Sequence, residues 1–157
     1  MTLKEIFNKA IEGDYALGAF NVSTLEQVKA VVNAATRKDT PVLLELSPGE
    51  AEFFGIEVLA GVRDSFILER NPNSPKPGLN LHNPGLFPSG SPYVFLNLDH
   101  AKDLNSIKSA LEAGFDMVHF DGSELPLEEN IAKTKEIVEL AKNYGALVEG
   151  EIDRAGG

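Results

Sequence analysis

The feature that most constrains this chain is an alternation repeated four times: a short apolar run, then a longer segment with helical spacing. An opening helix precedes the series. Thr2 and Glu5 make a Thr-x-x-Glu capping box, and Leu3, Ile6, Phe7 and Ala10 fall on one face before Gly13. Residues 15–22 read as a strand. Ser23 and Glu26 suggest a second capping box, followed by Leu25, Val28, Val31, Val32 and Ala35 at helical spacing. Residues 41–47 form the next strand. Ser47 as cap, Pro48 at the first helical position and Glu50 three residues on open a helix carrying Phe53, Ile56, Leu59, Ala60 and Ile67. The third strand spans about 93–98, and its helix runs from about Asp103 through Leu104, Ile107 and Leu111 to Gly114. "FDMVHFDGS" holds strand four. A long amphipathic helix begins after Pro126 and stops at Gly145, and "ALVEGEI" begins a fifth strand.

Strand–helix alternation of this kind means parallel βαβ units with right-handed crossovers, in an α/β fold. The strands are short and apolar, as expected where both faces are covered. A doubly wound sheet and a (β/α) barrel both satisfy this. No glycine-rich dinucleotide fingerprint follows the first strand, which lowers the first alternative. The placement of polar residues favours the second. Asn21, Ser47, the Asp99-His100 pair, Asp121, and Glu149 or Glu151 each stand near the carboxyl end of a different strand. In a barrel those ends meet at one mouth, where active sites are built. A complete barrel of eight units takes ~250 residues. The 157 residues here supply about four and a half, so the expectation is a partial (β/α)8 TIM barrel spanning residues 1–157. Residues 71–92 interrupt the rhythm with six of the nine prolines and read as an inserted loop, with His82 incidental to it.

Composition narrows the partners. A formal charge of −10 argues against a nucleic-acid backbone, which is bound by clustered Lys and Arg. It leaves room for an anionic small molecule held by backbone amides or a metal. No apolar run approaches the ~20 residues of a membrane span. The first residues do not read as a secretory signal, and cysteine is absent. The expected location is therefore cytoplasmic, with no membrane and no nucleic acid as partner.

Asp99-His100 carries the most chemical information. Neighbours on a strand point to opposite faces, unless the strand is ending and the backbone can turn. There the imidazole can ligate a metal, and the carboxylate beside it can move a proton. The plain alternative is a helix-capping Asp and a solvated His. Asp121 follows strand four in the matching place and could bind a cation, with Gly122 permitting a tight turn. His119 shares the parity of Asp121 one layer down, where a hydrogen-bonded core histidine is the expectation. Glu149 and Glu151 share a face, and two inward carboxylates call for a cation or donors. Asn21 and Ser47 are neutral groups suited to hydroxyl or phosphate oxygens.

Together "AFNVSTLEQVKAVVNAA", "SPGEAEFFG", "LDHAKD", "AGFDMVHFDGSELPLEENIAKTKEIVELA" and "VEGEI" resemble the amino-terminal part of the class II, metal-dependent fructose-bisphosphate/tagatose-bisphosphate aldolases. The resemblance covers nearly all of the chain outside 71–92. It implies a (β/α)8 barrel, a zinc ion and reversible cleavage of a ketose bisphosphate into dihydroxyacetone phosphate and an aldehyde. By position, Asp99 resembles the proton-transfer residue, His100 a zinc ligand, and Asn21 and Ser47 substrate contacts. Asp121 and Glu151 resemble residues lining the metal region that hold a second or displaced cation. Asn97 stands where the family carries histidine. The resemblance also implies further zinc ligands and a phosphate loop after the last residue here. The expectation is that the chain alone holds zinc weakly and turns over little, with activity in a homo-oligomer or with a complementing carboxyl-terminal half. The alternative expectation is a non-catalytic half barrel that acts through a partner.

Overall fold

A computed structural model describes residues 1–70 and 93–152, with the backbone alone over 66–70. The 71–92 loop, His82 and the side chain of Ile67 lie outside the described residues. The elements follow in the order α1 (Leu3–Glu12), β1 (Gly18–Asn21), α2 (Leu25–Lys38), β2 (Val42–Leu46), α3 (Pro48–Phe54), α4 (Ile56–Arg70), β3 (Val94–Ala101), α5 (Leu104–Glu112), β4 (Met117–Asp121), α6 (Leu127–Lys142) and β5 (Leu147–Glu151).

All five strands are parallel, and their order in the sheet is their order in the chain, β1-β2-β3-β4-β5. That order separates the two architectures. A doubly wound sheet reverses direction at a switch point, whereas a barrel adds each strand beside the last. With every crossover of the same hand, the crossover helices all pack on one side of the sheet. The partial TIM-barrel expectation is therefore met.

Side-chain parity then divides the sheet. Val42, Leu44 and Leu46 of β2, Val94, Leu96 and Leu98 of β3, and Val118 and Phe120 of β4 join Val28, Val32, Leu59, Ile107, Leu111 and Ile137 from the helices in the main core. On the opposite, concave side, Leu43 and Phe95 meet Leu3 and Ile6 of α1, with Met117 and Leu147 against them. So α1 closes the amino-terminal end of the concave face. Farther along the same face come Asn21, Glu45, Asn97, His119, Asp121 and Glu151, paired in register as Asn21 with Glu45, Glu45 with Asn97, and Asp121 with Glu151. Apolar layer below and polar layer above follow from a period-two pattern whose inward residue changes character partway along each strand.

Several boundaries moved. The second capping box is one residue later than expected: Thr24 caps α2 with Gln27, whose Oε1 also accepts from the Ser23 amide at 2.7 Å. The helix after Ser47 is two helices, broken at Gly55, where φ is +92° and an L side chain would be strained. The Thr2 and Ser47 capping boxes form as expected. The third strand runs three residues beyond Leu98 and includes Asp99 and His100. Among the described residues no helix is long and apolar enough to cross a membrane.

Candidate active site

The site begins with the backbone of β3. Leu98 pairs with Val118 and Ala101 with Phe120, so three steps on β3 match two on β4 and one residue is extra. The extra residue is His100, with φ at +52°, a left-handed conformation that a β-carbon makes unfavourable. Leu98 and Ala101 both bury themselves on the helix side. Asp99 and His100 between them are thereby both turned toward the concave rim. The expectation had this pair past the end of the strand; a bulge within it achieves the same thing.

Three other strand ends, those of β1, β4 and β5, deliver their groups to this pair. His100 Nδ1 lies 3.2 Å from Glu151 Oε2 and 3.8 Å from Asp121 Oδ2, and its Nε2 is 3.7 Å from Asp99 Oδ1. His119, only 6% exposed, stands beside it with ring centroids 4.3 Å apart. Its Nδ1 is 3.3 Å from Asp99 Oδ1 and its Nε2 is 3.4 Å from Glu151 Oε2. Asn21 Nδ2 donates to Asp99 Oδ2 at 3.2 Å and to Glu50 Oε2 at 3.0 Å. Five of the six residues expected to act together do so: Asn21, Asp99, His100, Asp121 and Glu151.

Ser47 is the exception. Its hydroxyl accepts from the Glu50 amide at 3.4 Å as the cap of α3, while its own amide donates to Glu50 Oε2 at 2.7 Å. It reaches the cluster only through Glu50, whose Oε1 also accepts from Ser23 Oγ at 3.1 Å. Glu50 thus ties the ends of β1 and β2 together. The sequence reading used it only as a capping residue. Its three-residue spacing from Ser47 gave no sign that Asn21 at the end of β1 and Ser23 just after it would also donate to its carboxylate.

Electrostatics follow from these contacts. The Ser123 hydroxyl, with its amide, hydrogen-bonds Asp121 Oδ1 and holds that carboxyl below the usual carboxylate range. Partial burial pushes Glu50 upward, but donors from Ser47, Asn21 and Ser23 outweigh it and leave Glu50 low as well. Glu45 moves the other way. Burial raises it, only partly offset by Asn97 Nδ2, which donates to Glu45 Oε1 at 2.8 Å. Asn97 is itself 1% exposed. Lys102 Nζ lies 3.8 Å from Asp121 Oδ2, at the outer edge.

Asp99, His100 and His119 offer ligand atoms within 4.8 Å of one another, as do His100, Asp121 and Glu151. The donor set suits a divalent metal. Its nitrogen and carboxylate oxygens converge, and His119 Nε2 and Glu151 Oε2 are buried without a hydrogen-bond partner. His119 was expected to be a hydrogen-bonded core histidine; it is buried and touches Asp99, yet its second nitrogen faces the cluster. Asn130 is a further residue the sequence reading passed over. Its Nδ2 donates to the Glu151 carbonyl at 2.7 Å, and Thr134 Oγ1 donates to its Oδ1 at 3.0 Å. Gly122 lies against it so closely that a β-carbon there would come within 2.5 Å of the Asn130 amide.

Known proteins carry related sequences. The chain is 32% identical to the 6-phospho-5-dehydro-2-deoxy-D-gluconate aldolase of Halalkalibacterium halodurans, over 100% of this chain and 49% of that protein. It is equally 32% identical to the fructose-bisphosphate aldolase of Geobacillus stearothermophilus, with the same coverage. Its fold matches the YdjI aldolase of Escherichia coli K12 with a TM-score of 0.68 at 25% identity, over 90% of this chain and 46% of that one. The fructose-bisphosphate aldolase of Campylobacter jejuni matches in fold with a TM-score of 0.75 at 24% identity, over 99% and 46%. The chain spans about half the length of the curated relatives it matches. The model of the fructose-bisphosphate aldolase class-II family covers residues 1–157, and the chain belongs to that family.

Proposed function

We propose that this chain contributes one side of a class II ketose-bisphosphate aldolase site. The reaction is zinc-dependent, reversible cleavage of fructose 1,6-bisphosphate or tagatose 1,6-bisphosphate, in the cytoplasm. The observation that carries the reading is the gathering of Asn21, Asp99, His100, Asp121 and Glu151 at one rim, in a chain of this family.

A divalent cation held by His100 with Asp121 and Glu151 supplies Lewis-acid polarisation of a ketose carbonyl when bound. Asp99 is the proton-transfer group. Its side chain is 18% exposed, enough to meet a substrate hydroxyl, and Asn21 holds one of its oxygens so that the other faces the histidines. Asn21 retains its amide oxygen for a substrate hydroxyl, since both of its N–H groups are used on Asp99 and Glu50. Ser47 offers a hydroxyl at the end of β2 once substrate competes with the cap. Among the described residues the sheet has five strands, with β1 and β5 at its edges. Closing the barrel takes further βα units, those of a carboxyl-terminal half or of a second copy, whether joined to these residues or separate from them, and turnover belongs to that closed assembly.

The test is aldol cleavage of both ketose bisphosphates by the chain alone and mixed with the carboxyl-terminal half of a related aldolase. Activity should arise in the mixture, vanish on chelation, return with Zn2+, and fall by at least ~100-fold in Asp99→Asn. No turnover in any assembly would end the reading.

A further inference from the structure

We infer that His119 is a metal ligand, adding its Nε2 to His100 and Glu151 in a cation site lying wholly within this chain. The inference deepens the metal-dependent reading above but does not need the aldol reaction: a cation can be held here whether or not sugar is cleaved.

Three observations carry it. The first is an unsatisfied pair. His119 Nδ1 is engaged by Asp99 Oδ1 at 3.3 Å, which leaves Nε2 as the ring nitrogen aimed elsewhere. Nε2 faces Glu151 Oε2 at 3.4 Å, and both atoms are buried without a hydrogen-bond partner. A cation between them would satisfy a ring nitrogen and a carboxylate oxygen that are otherwise left unpaired out of water.

The second is convergence. Glu151 Oε2 is also 3.2 Å from His100 Nδ1. Two ligands each ~2.1 Å from a tetrahedral zinc are separated by about 3.4 Å. Each imidazole nitrogen therefore stands from this oxygen at the spacing of two ligands that share a cation.

The third is support from behind the ligands. Asp99 on His119 Nδ1 is a carboxylate–histidine contact of the sort that fixes tautomer and ring orientation in metal sites. Asn130 anchors the carbonyl of Glu151. The unfavourable backbone at His100 is maintained for a placement that the sheet alone does not require. Three protein donors are what a catalytic zinc site supplies, with a fourth position left open. Two of the three histidines in the chain meet at this point.

The test uses the full chain stripped of metal by chelator and dialysis. Visible absorption on titration with Co2+ and calorimetry with Zn2+ should give one ion per chain, with the strong absorption of a low-coordinate cobalt site. His119→Asn retains an amide near the position of Nδ1 and deletes Nε2. It should weaken binding by at least ~100-fold, more than the loss of an outer partner does, with the apo fold unchanged by circular dichroism. His82→Ala should leave binding as it was. If His119→Asn does not fold, cadmium NMR on the wild-type chain with isotope-labelled histidine decides: coupling to two imidazole nitrogens supports the site, and coupling to one or none overturns it. Failure of the wild-type chain to bind either ion overturns it too, as does unaltered binding in a folded His119→Asn. Binding that depends on His119 alongside an absence of cleavage in every assembly would uphold this site and sink only the aldol reading.

Discussion

Asp99 and His100 are adjacent in sequence, yet both project toward the concave rim, because the chain passes through a left-handed backbone conformation at His100 inside a bulge of β3. Alternation along an undisturbed strand would have sent one of them into the helix layer. The bulge spends stability on placement, and substitution can reveal the amount. In the metal-free chain His100→Gly and His100→Ala remove the same contacts with Asp99, Asp121 and Glu151. Glycine accepts φ of +52° without a β-carbon penalty of roughly 1–2 kcal/mol, although it loses up to about 1 kcal/mol through a freer unfolded chain. His100→Gly should be the more stable of the two in urea denaturation, by about 0.5–1 kcal/mol. The reverse order would mean that the bulge does not persist in solution.

Glu50 gives a second prediction, with a pH signature. Its carboxylate receives Ser23 Oγ, the Ser47 amide and Asn21 Nδ2. These donors bind the charged form and hold its folded pKa below the ordinary 4.5. A lowered carboxyl stabilises the fold above its unfolded pKa, and that contribution disappears as pH falls through the folded value. Glu50→Gln should lower stability by about 1 kcal/mol at pH 7. The deficit relative to wild type should shrink below pH 4.5. Thermal melts of both proteins across that range provide the check. A deficit independent of pH would assign the effect to packing.

Much of this arrangement was legible in the sequence, for a physical reason. Strand–helix alternation and the polar residue ending each strand are local signals, and a parallel sheet converts them into one rim. The caps at Thr2 and Ser47 were readable because capping is a contact over three residues. Ser23 and Thr24 are both good caps, and the choice between them rests on Gln27, which the Ser23 and Thr24 amides share. What could not be read was long-range or conformational. The bulge at His100 has no glycine to announce it. The parity of His119 was correct, but its second nitrogen becomes significant only when Glu151, thirty-two residues later, is placed against it.

Glu45 should behave oppositely to Glu50. It is half-buried on the concave face near Asp99 and Glu149, and burial raises its pKa above 4.5. For a raised carboxyl, the fold bears the cost of ionisation at neutral pH and is relieved of it as pH falls through the folded value. Glu45→Gln keeps an oxygen to accept from Asn97 and removes the charge. Stability should rise at pH 7, by up to about 1 kcal/mol after solvent screening. The gain should fade as pH falls through the folded value and below 4.5, as the wild-type carboxyl takes up its proton. A gain that persists in acid would trace to shape rather than charge.

The last prediction concerns the far side of the sheet, where α4 is fastened to the turn before β4. Arg63 is 7% exposed, and its guanidinium reaches Asp116 Oδ2 at 2.8 Å, Asp64 Oδ1 at 2.6 Å and the Gly114 carbonyl at 2.9 Å. The Leu96 amide also donates to Asp116 Oδ2 at 2.9 Å. Burial already pushes the Asp116 carboxyl up, and Arg63 is the main force opposing it. Arg63→Met preserves most of the volume yet strands a largely buried carboxylate, which should destabilise the chain by about 2–4 kcal/mol. Asp116→Asn retains an acceptor for Leu96 and Arg63, and should be milder. The double variant Arg63→Met/Asp116→Asn should recover part of the loss, since no unpaired charge remains. Urea denaturation of the three variants measures the coupling. Strict additivity would show that Arg63 and Asp116 do not depend on each other, and that the helix is held to the strand by packing alone.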